Sequence, residues 1–171
     1  PHPPLWLAAF GPRALAQTGR LGLPYLASPV ESAARVRANA DRIAAAARAA
    51  GHPPAGRLGI MRTVFVDPDG DVRRRVREAL SGVPMPAGLP WREAWELDRP
   101  PLLVGTPDEV AEALAGLGER LPYTDLVAVP PRGVELPSRR LHASAERFAA
   151  LVAEHRSAPR AMLPAEHGNH P

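Results

Sequence analysis

Leu5-Trp6-Leu7-Ala8-Ala9-Phe10-Gly11-Pro12-Arg13 joins an apolar run directly to a helix start. Leu5 to Ala9 form an apolar run too short for a helix, following a proline-rich lead, and read as a buried strand. Phe10-Gly11-Pro12 ends that strand. Pro12 has no N–H to lose at a first helical position, and Gly11 suits the cap before it. A helix therefore starts at once and runs from Arg13 to Leu21, where Gly22 stops it. A strand feeding straight into a helix is the unit from which parallel α/β sheets are built.

The unit recurs downstream. Pro24 to Ser28 reads as a second short strand, and Ser28-Pro29 opens a long helix from Val30 to Ala50. That helix is rich in alanine and carries an apolar stripe at Val36, Ala40, Ile43 and Ala47. Gly51-His52-Pro53-Pro54 stops it. Leu58 to Val66 is a third strand, Asp67-Pro68-Asp69-Gly70 a turn, and Asp71 to Leu80 a helix with Val72, Val76 and Leu80 on one side. Ser81 to Pro90 reads as a loop and Trp91 to Leu97 as a helical turn, broken by Pro100-Pro101. Leu102 to Gly105 then leads into Thr106-Pro107-Asp108-Glu109, a capping box with proline first in the helix. Val110, Leu114, Leu117 and Leu121 form its buried stripe. Asp125 to Val129 is the last strand and Ser138 to Arg156 the last helix, with Leu141, Phe148, Leu151 and Val152 inward. The tail from residue 157 to 171 is expected to be flexible. Four strand–helix units make half of an eight-stranded barrel, or a small open sheet; their order alone leaves both open.

The chain has 171 residues, 45% of them apolar, enough for one core. No run approaches the roughly 18 apolar residues of a membrane span, and no membrane role is expected. Cysteine is absent, which excludes disulfides and thiolate chemistry and fits a cytoplasmic protein. All 21 basic residues are arginine, yet the net charge is only +3. The densest cluster, Arg73-Arg74-Arg75 with Arg77, is interleaved with Asp71 and Glu78 and reads as a solvated helix face rather than a nucleic-acid patch. Arg77 and its neighbours in a DNA-contacting module are the weakest of three functional hypotheses.

The chemistry points back to the opening stretch. Free N–H groups at a helix start, with the positive end of its dipole, bind anions. Gly11 lets a ligand approach the backbone, and Arg13 adds a fixed, forked charge. Ala9 to Arg13 therefore reads as a phosphate site at the C-terminal end of a strand, or else as an ordinary tight turn. Ser28, at the same end of the next strand, either contacts a ligand or caps its helix. Arg62 lies inside the third strand and either faces the barrel mouth or pairs with Asp67 or another acid. His142 and His155 lie on the last helix and the other histidines in loops or ends, so no catalytic histidine set or metal site is expected. No Walker loop, GxGxxG or nucleophile elbow is present, and Trp91 with Trp95 reads as packing.

Taken in order, four segments resemble the luciferase-like flavin oxidoreductases. They are Pro3 to Pro12 followed by Gly19 to Pro24, Arg62 to Asp67, Val104 to Val110, and Thr124 to Val127. The resemblance spans residues 1–156 and implies the C-terminal half of a (β/α)8 barrel, its fifth to eighth units. It implies an enzyme passing electrons from reduced FMN to oxygen, or hydride through F420, on a small organic substrate; Gly22-Leu23-Pro24-Tyr25 favours FMN. The flavin phosphate is expected on Ala9, Phe10, Gly11 and Arg13, with Ser28 beside them. Phe10 and Arg13 stand where some members carry hydroxyl side chains, so binding would rest on backbone N–H groups and the arginine. The resemblance places the family's proton-handling residues on earlier strands, which leaves the catalytic residues unknown in this sequence. The family makes dimers, mostly through earlier elements, so the resemblance is compatible with a homodimer of the full-length protein and leaves dimerisation of residues 1–156 open. The other hypothesis is a non-enzymatic half-barrel that binds a phosphate-bearing ligand or a partner protein.

Overall fold

The computed structural model describes residue 3, residues 5–81 and residues 102–157. The expected loop and helical turn between Ser81 and Leu97, with Trp91 and Trp95, lie outside the described residues, as does the tail beyond 157. The elements are α1 (Pro12–Arg20), β1 (Tyr25–Ala27), α2 (Ala33–Ala49), β2 (Leu58–Val66), α3 (Gly70–Ser81), β3 (Leu103–Gly105), α4 (Pro107–Arg120), β4 (Asp125–Val129) and α5 (Ser138–Ser157).

Among the described residues every strand pairing is parallel. Leu7 bridges Tyr25, β1 pairs with β2, and β2 pairs with β4. β3 joins the far end of β2, where Val64 meets Leu103. β4 thus lies directly beside β2, past the short β3 that pairs only with the last residues of β2, in a parallel sheet of the kind that barrel staves or a small open sheet form.

The expected strand from Leu5 to Ala9 is reduced to one bridge, for a reason visible in its partner. Leu7 N–H donates to the Pro24 carbonyl at 3.0 Å, and Leu26 N–H donates to the Leu7 carbonyl at 3.1 Å. One step earlier the ladder would need an N–H from Pro24, which has none. One step later it would need Ser28 N–H, which donates instead to Glu31 Oε2 at 2.7 Å. The ladder therefore stops on both sides of Leu7.

Side chains alternate across the sheet. One face, with Ala9, Tyr25, Ala27 and Ile60, packs under α1, α2 and α4 through Leu15, Val36, Ile43, Leu117 and Leu121. The other face holds Trp6 and Leu26 over Gly59, where an added Cβ would come within 2.9 Å of the Trp6 ring. By register Met61 and Val127 share that face, and Val127 is 42% exposed. Arg57 stacks on Trp6 at 4.7 Å and pairs with Asp125.

Helix ends follow their residues. The Thr106–Glu109 capping box is present in full. Gly22 closes α1 with a positive φ of 64° that glycine alone adopts without strain. The long helix begins later than the sequence suggests: Ser32, not Ser28, is its cap, accepting from Arg35 N–H at 3.2 Å. Ser28 to Glu31 close a separate turn, with Glu31 N–H donating to the Ser28 carbonyl at 3.2 Å.

Candidate functional site

Register brings two turns to the same end of the sheet. Leu7 lies beside Tyr25, so Ala9 is level with Ala27, and the turns that follow them leave side by side. The first carries residues 9–13 and opens α1. The second carries residues 28–31 and precedes α2.

The first turn is open. Gly11 is the N-cap of α1 in an extended conformation, no side chain caps the helix, and its first turn contains no acid. Leu15 N–H already donates to the Gly11 carbonyl at 3.0 Å. Pro12 has no N–H, and among the described residues nothing accepts from the N–H groups of Gly11, Arg13 or Ala14. A Cβ at Gly11 would have nothing within 4 Å. Arg13 is exposed and Phe10 is 49% exposed, while Ala9 is buried at 2%. Of the expected residues, Ala9 turns its methyl into the core beside Leu15 and Tyr25 and offers only backbone, whereas Phe10, Gly11 and Arg13 border the opening.

The second turn is closed. Glu31, 1% exposed, accepts from Tyr25 Oη at 2.6 Å and Asn39 Nδ2 at 2.8 Å on one oxygen and from Ser28 N–H on the other. Burial first, and then Glu31, push the Tyr25 phenol above its ordinary range, so it stays a neutral donor. Ser28 itself is half-buried. Its Oγ accepts from Val30 N–H at 3.4 Å, and its hydroxyl proton has no acceptor among the described residues.

Arg62 behaves in neither of the two ways the sequence suggests. It lies on the helix-covered face of β2, fully buried, and donates to the carbonyls of Ser28 (3.2 Å), Met61 (2.7 Å) and Glu31 (3.1 Å). Burial lowers its pKa, and the nearby Glu31 charge opposes that shift. Asp67 pairs instead with Arg140 at 3.1 Å. Glu31 was missed in the sequence, although Ser28-Pro29-Val30-Glu31 has capping-box spacing and Glu31 does reach back to the Ser28 N–H.

The arginine cluster on α3 divides by face. Arg74 pairs with Asp71 and Glu78, and Arg75 is exposed, as a solvated face requires. Arg73 and Arg77 are held against the protein, donating to the carbonyls of Asp67, Pro68 and Val104. Among the described residues no helix is long and apolar enough to cross a membrane.

Known proteins place this architecture. The sequence pattern of the luciferase-like monooxygenase family matches residues 1–124. No curated protein matches the chain. Among solved structures, a monooxygenase from Streptomyces bottropensis shares 20% identity and a TM-score of 0.62, over 91% of this chain and 49% of its own. The oxygenating constituent of 3,6-diketocamphane monooxygenase from Pseudomonas putida, solved with FMN, shares 17% identity and a TM-score of 0.62, over 89% and 48%. The coenzyme F420-dependent tetrahydromethanopterin reductase from Methanopyrus kandleri shares 17% identity and a TM-score of 0.61, over 89% and 50%. The chain spans about half the length of each, and the shared fold is that of the C-terminal half of a luciferase-like (β/α)8 barrel. On the family match, which covers well over half of its residues, the chain belongs to the luciferase-like monooxygenases.

Proposed function

We propose that residues 1–156 form the phosphate-holding half of a flavin-dependent oxidoreductase that uses FMN, or alternatively F420, on a small organic substrate. The observation that carries this reading is the uncapped start of α1. Three backbone N–H groups without partners among the described residues, the positive end of a helix dipole, and an exposed arginine one residue inside form a donor set suited to a phosphate group. The donor set fits the group: no carboxylate competes within the first turn, and Gly11 leaves room for close approach.

When bound, the flavin supplies the redox chemistry. The chain's own residues bind and orient it. Gly11, Arg13 and Ala14 N–H would hold its phosphate, Arg13 would add a charge-assisted bond, and Ser28 would offer its hydroxyl proton from the neighbouring turn. Phe10 adds apolar contact at the rim. The apolar face with Trp6, Leu26, Met61 and Val127 forms one wall of the barrel interior and excludes water from it. Homologues that use FMN and homologues that use F420 share this fold, and both cofactors carry a phosphate, so the anion-binding turn suits either.

A fluorescence titration of the full-length gene product with FMN and with F420 tests the reading. Saturable binding of one of them is expected. Binding of neither overturns it.

A further inference from the structure

The closed turn at Ser28 to Glu31 does more than connect β1 to α2. Ser28 N–H is the donor that a continued parallel ladder would give to the Ala9 carbonyl. Glu31 takes that N–H at 2.7 Å instead. The strand pair therefore parts at the level of Ala9, where the phosphate-binding turn begins. Glu31 is held for this task by Tyr25 and Asn39, both buried. Arg62 then ties the turn down from the side of β2, holding the Ser28 and Glu31 carbonyls with separate nitrogens. A fully buried guanidinium is costly to bury when it has no carboxylate in contact. Three carbonyls meet its donors, while its Nε has no partner. A core needing only volume at this position would be served by an aliphatic residue, as Ile60 and Val64 serve on the same face of β2.

We infer that Arg62 and Glu31 are positioning residues for the anion site: together they hold the 28–31 turn away from Ala9, leaving a gap in which one phosphate meets both the α1 start and the Ser28 hydroxyl. The inference rests on the flavin reading for its ligand, but the geometry it assigns to the turn stands apart from that reading. Arg62 touches no ligand in this account; it acts through Ser28.

Two measurements on the same variants separate the claims. Arg62→Met keeps the stem and removes every donor; Arg62→Lys restores one. Glu31→Gln is the second variant should Arg62→Met fail to fold. Amide hydrogen exchange at residues 28–32 is expected to speed up at least about tenfold in Arg62→Met while residues 15–20 of α1 keep their protection. FMN affinity is expected to fall about tenfold with riboflavin affinity unchanged, and Arg62→Lys is expected to recover part of the difference. Equal losses for FMN and riboflavin, or unchanged exchange at 28–32, would overturn the inference in favour of a purely structural arginine. Should the wild type bind neither flavin, the flavin reading fails, and the exchange comparison alone decides the positioning claim.

Discussion

Two turns leave the sheet side by side, and they are built in opposite ways. At residues 9–13 the backbone donors of a helix start are left unspent, the cap is a glycine and the only charge is an exposed arginine. At residues 28–31 the backbone N–H groups are spent within the turn, and the Glu31 carboxylate and the Ser28 and Glu31 carbonyls accept from the buried Tyr25, Asn39 and Arg62. Hydrogen-bonding or capping polar groups stabilises a fold, so leaving the α1 start to a glycine forgoes up to about 0.5 kcal/mol relative to a side-chain cap. The same chain caps α4 with a complete Thr106–Glu109 box and α2 with Ser32. The contrast separates scaffold from site: the closed turn fixes geometry, and the open one keeps its hydrogen-bonding capacity for a ligand.

The contrast can be broken from the scaffold side. Glu31→Ala removes the acceptor of three donors in the core, and a loss of about 3–5 kcal/mol in unfolding free energy is expected by urea titration. A loss below about 1 kcal/mol would show that the closed turn carries little stability. Gly19→Ala comes next. Its Cβ would lie 2.7 Å from Ala46 Cβ, so α1 and α2 must separate, at about 1–3 kcal/mol. Because α1 aims the open turn, this variant is also expected to weaken FMN binding; a thermal melt and a titration check both effects together.

The site side responds differently. Gly11→Asp supplies the missing cap from a residue with room for it. Its carboxylate should take the N–H groups meant for phosphate, changing stability by no more than about 0.5 kcal/mol in the favourable direction, yet lowering FMN affinity at least about tenfold. Stability and binding moving in opposite directions would be specific to an anion site; both unchanged would mark an ordinary turn. The smallest effect concerns the rim opposite the site. Asp125 is held below the usual carboxylate range by Arg57 and then Thr124. Its folded pKa is depressed, so its contribution is present above the unfolded value of about 4 and disappears as pH falls through the folded one. Asp125→Asn is expected to flatten a small part of the acid limb of the stability–pH curve and leave neutral pH nearly unchanged.

Much of the scaffold was legible. β2 and β4 match the apolar runs Leu58–Val66 and Asp125–Val129 because fully apolar or alternating stretches bounded by turn residues have little else to become. The α4 box was legible because its three residues act locally. What was not legible depends on partners distant in sequence. Nothing near Leu5 to Ala9 says that Pro24 and Ser28 will fail to supply ladder donors. Arg62 could not be oriented without knowing which face of β2 the helices cover. The Ser28–Glu31 pair mimicked a helix cap because the spacing is right, and only the burial of the Glu31 carboxylate against Tyr25 and Asn39 turns it into a separate turn. The open start of α1 was legible as Gly11-Pro12-Arg13, since its defining property is the absence of a capping side chain.

The most direct test of the account is the affinity of the full-length gene product for FMN set against riboflavin, which differs only in lacking the phosphate, measured for wild type and Arg13→Ala. FMN is expected to bind at least about tenfold more tightly than riboflavin, and Arg13→Ala is expected to remove most of that preference. Equal affinity for the two ligands in the wild-type protein would contradict it.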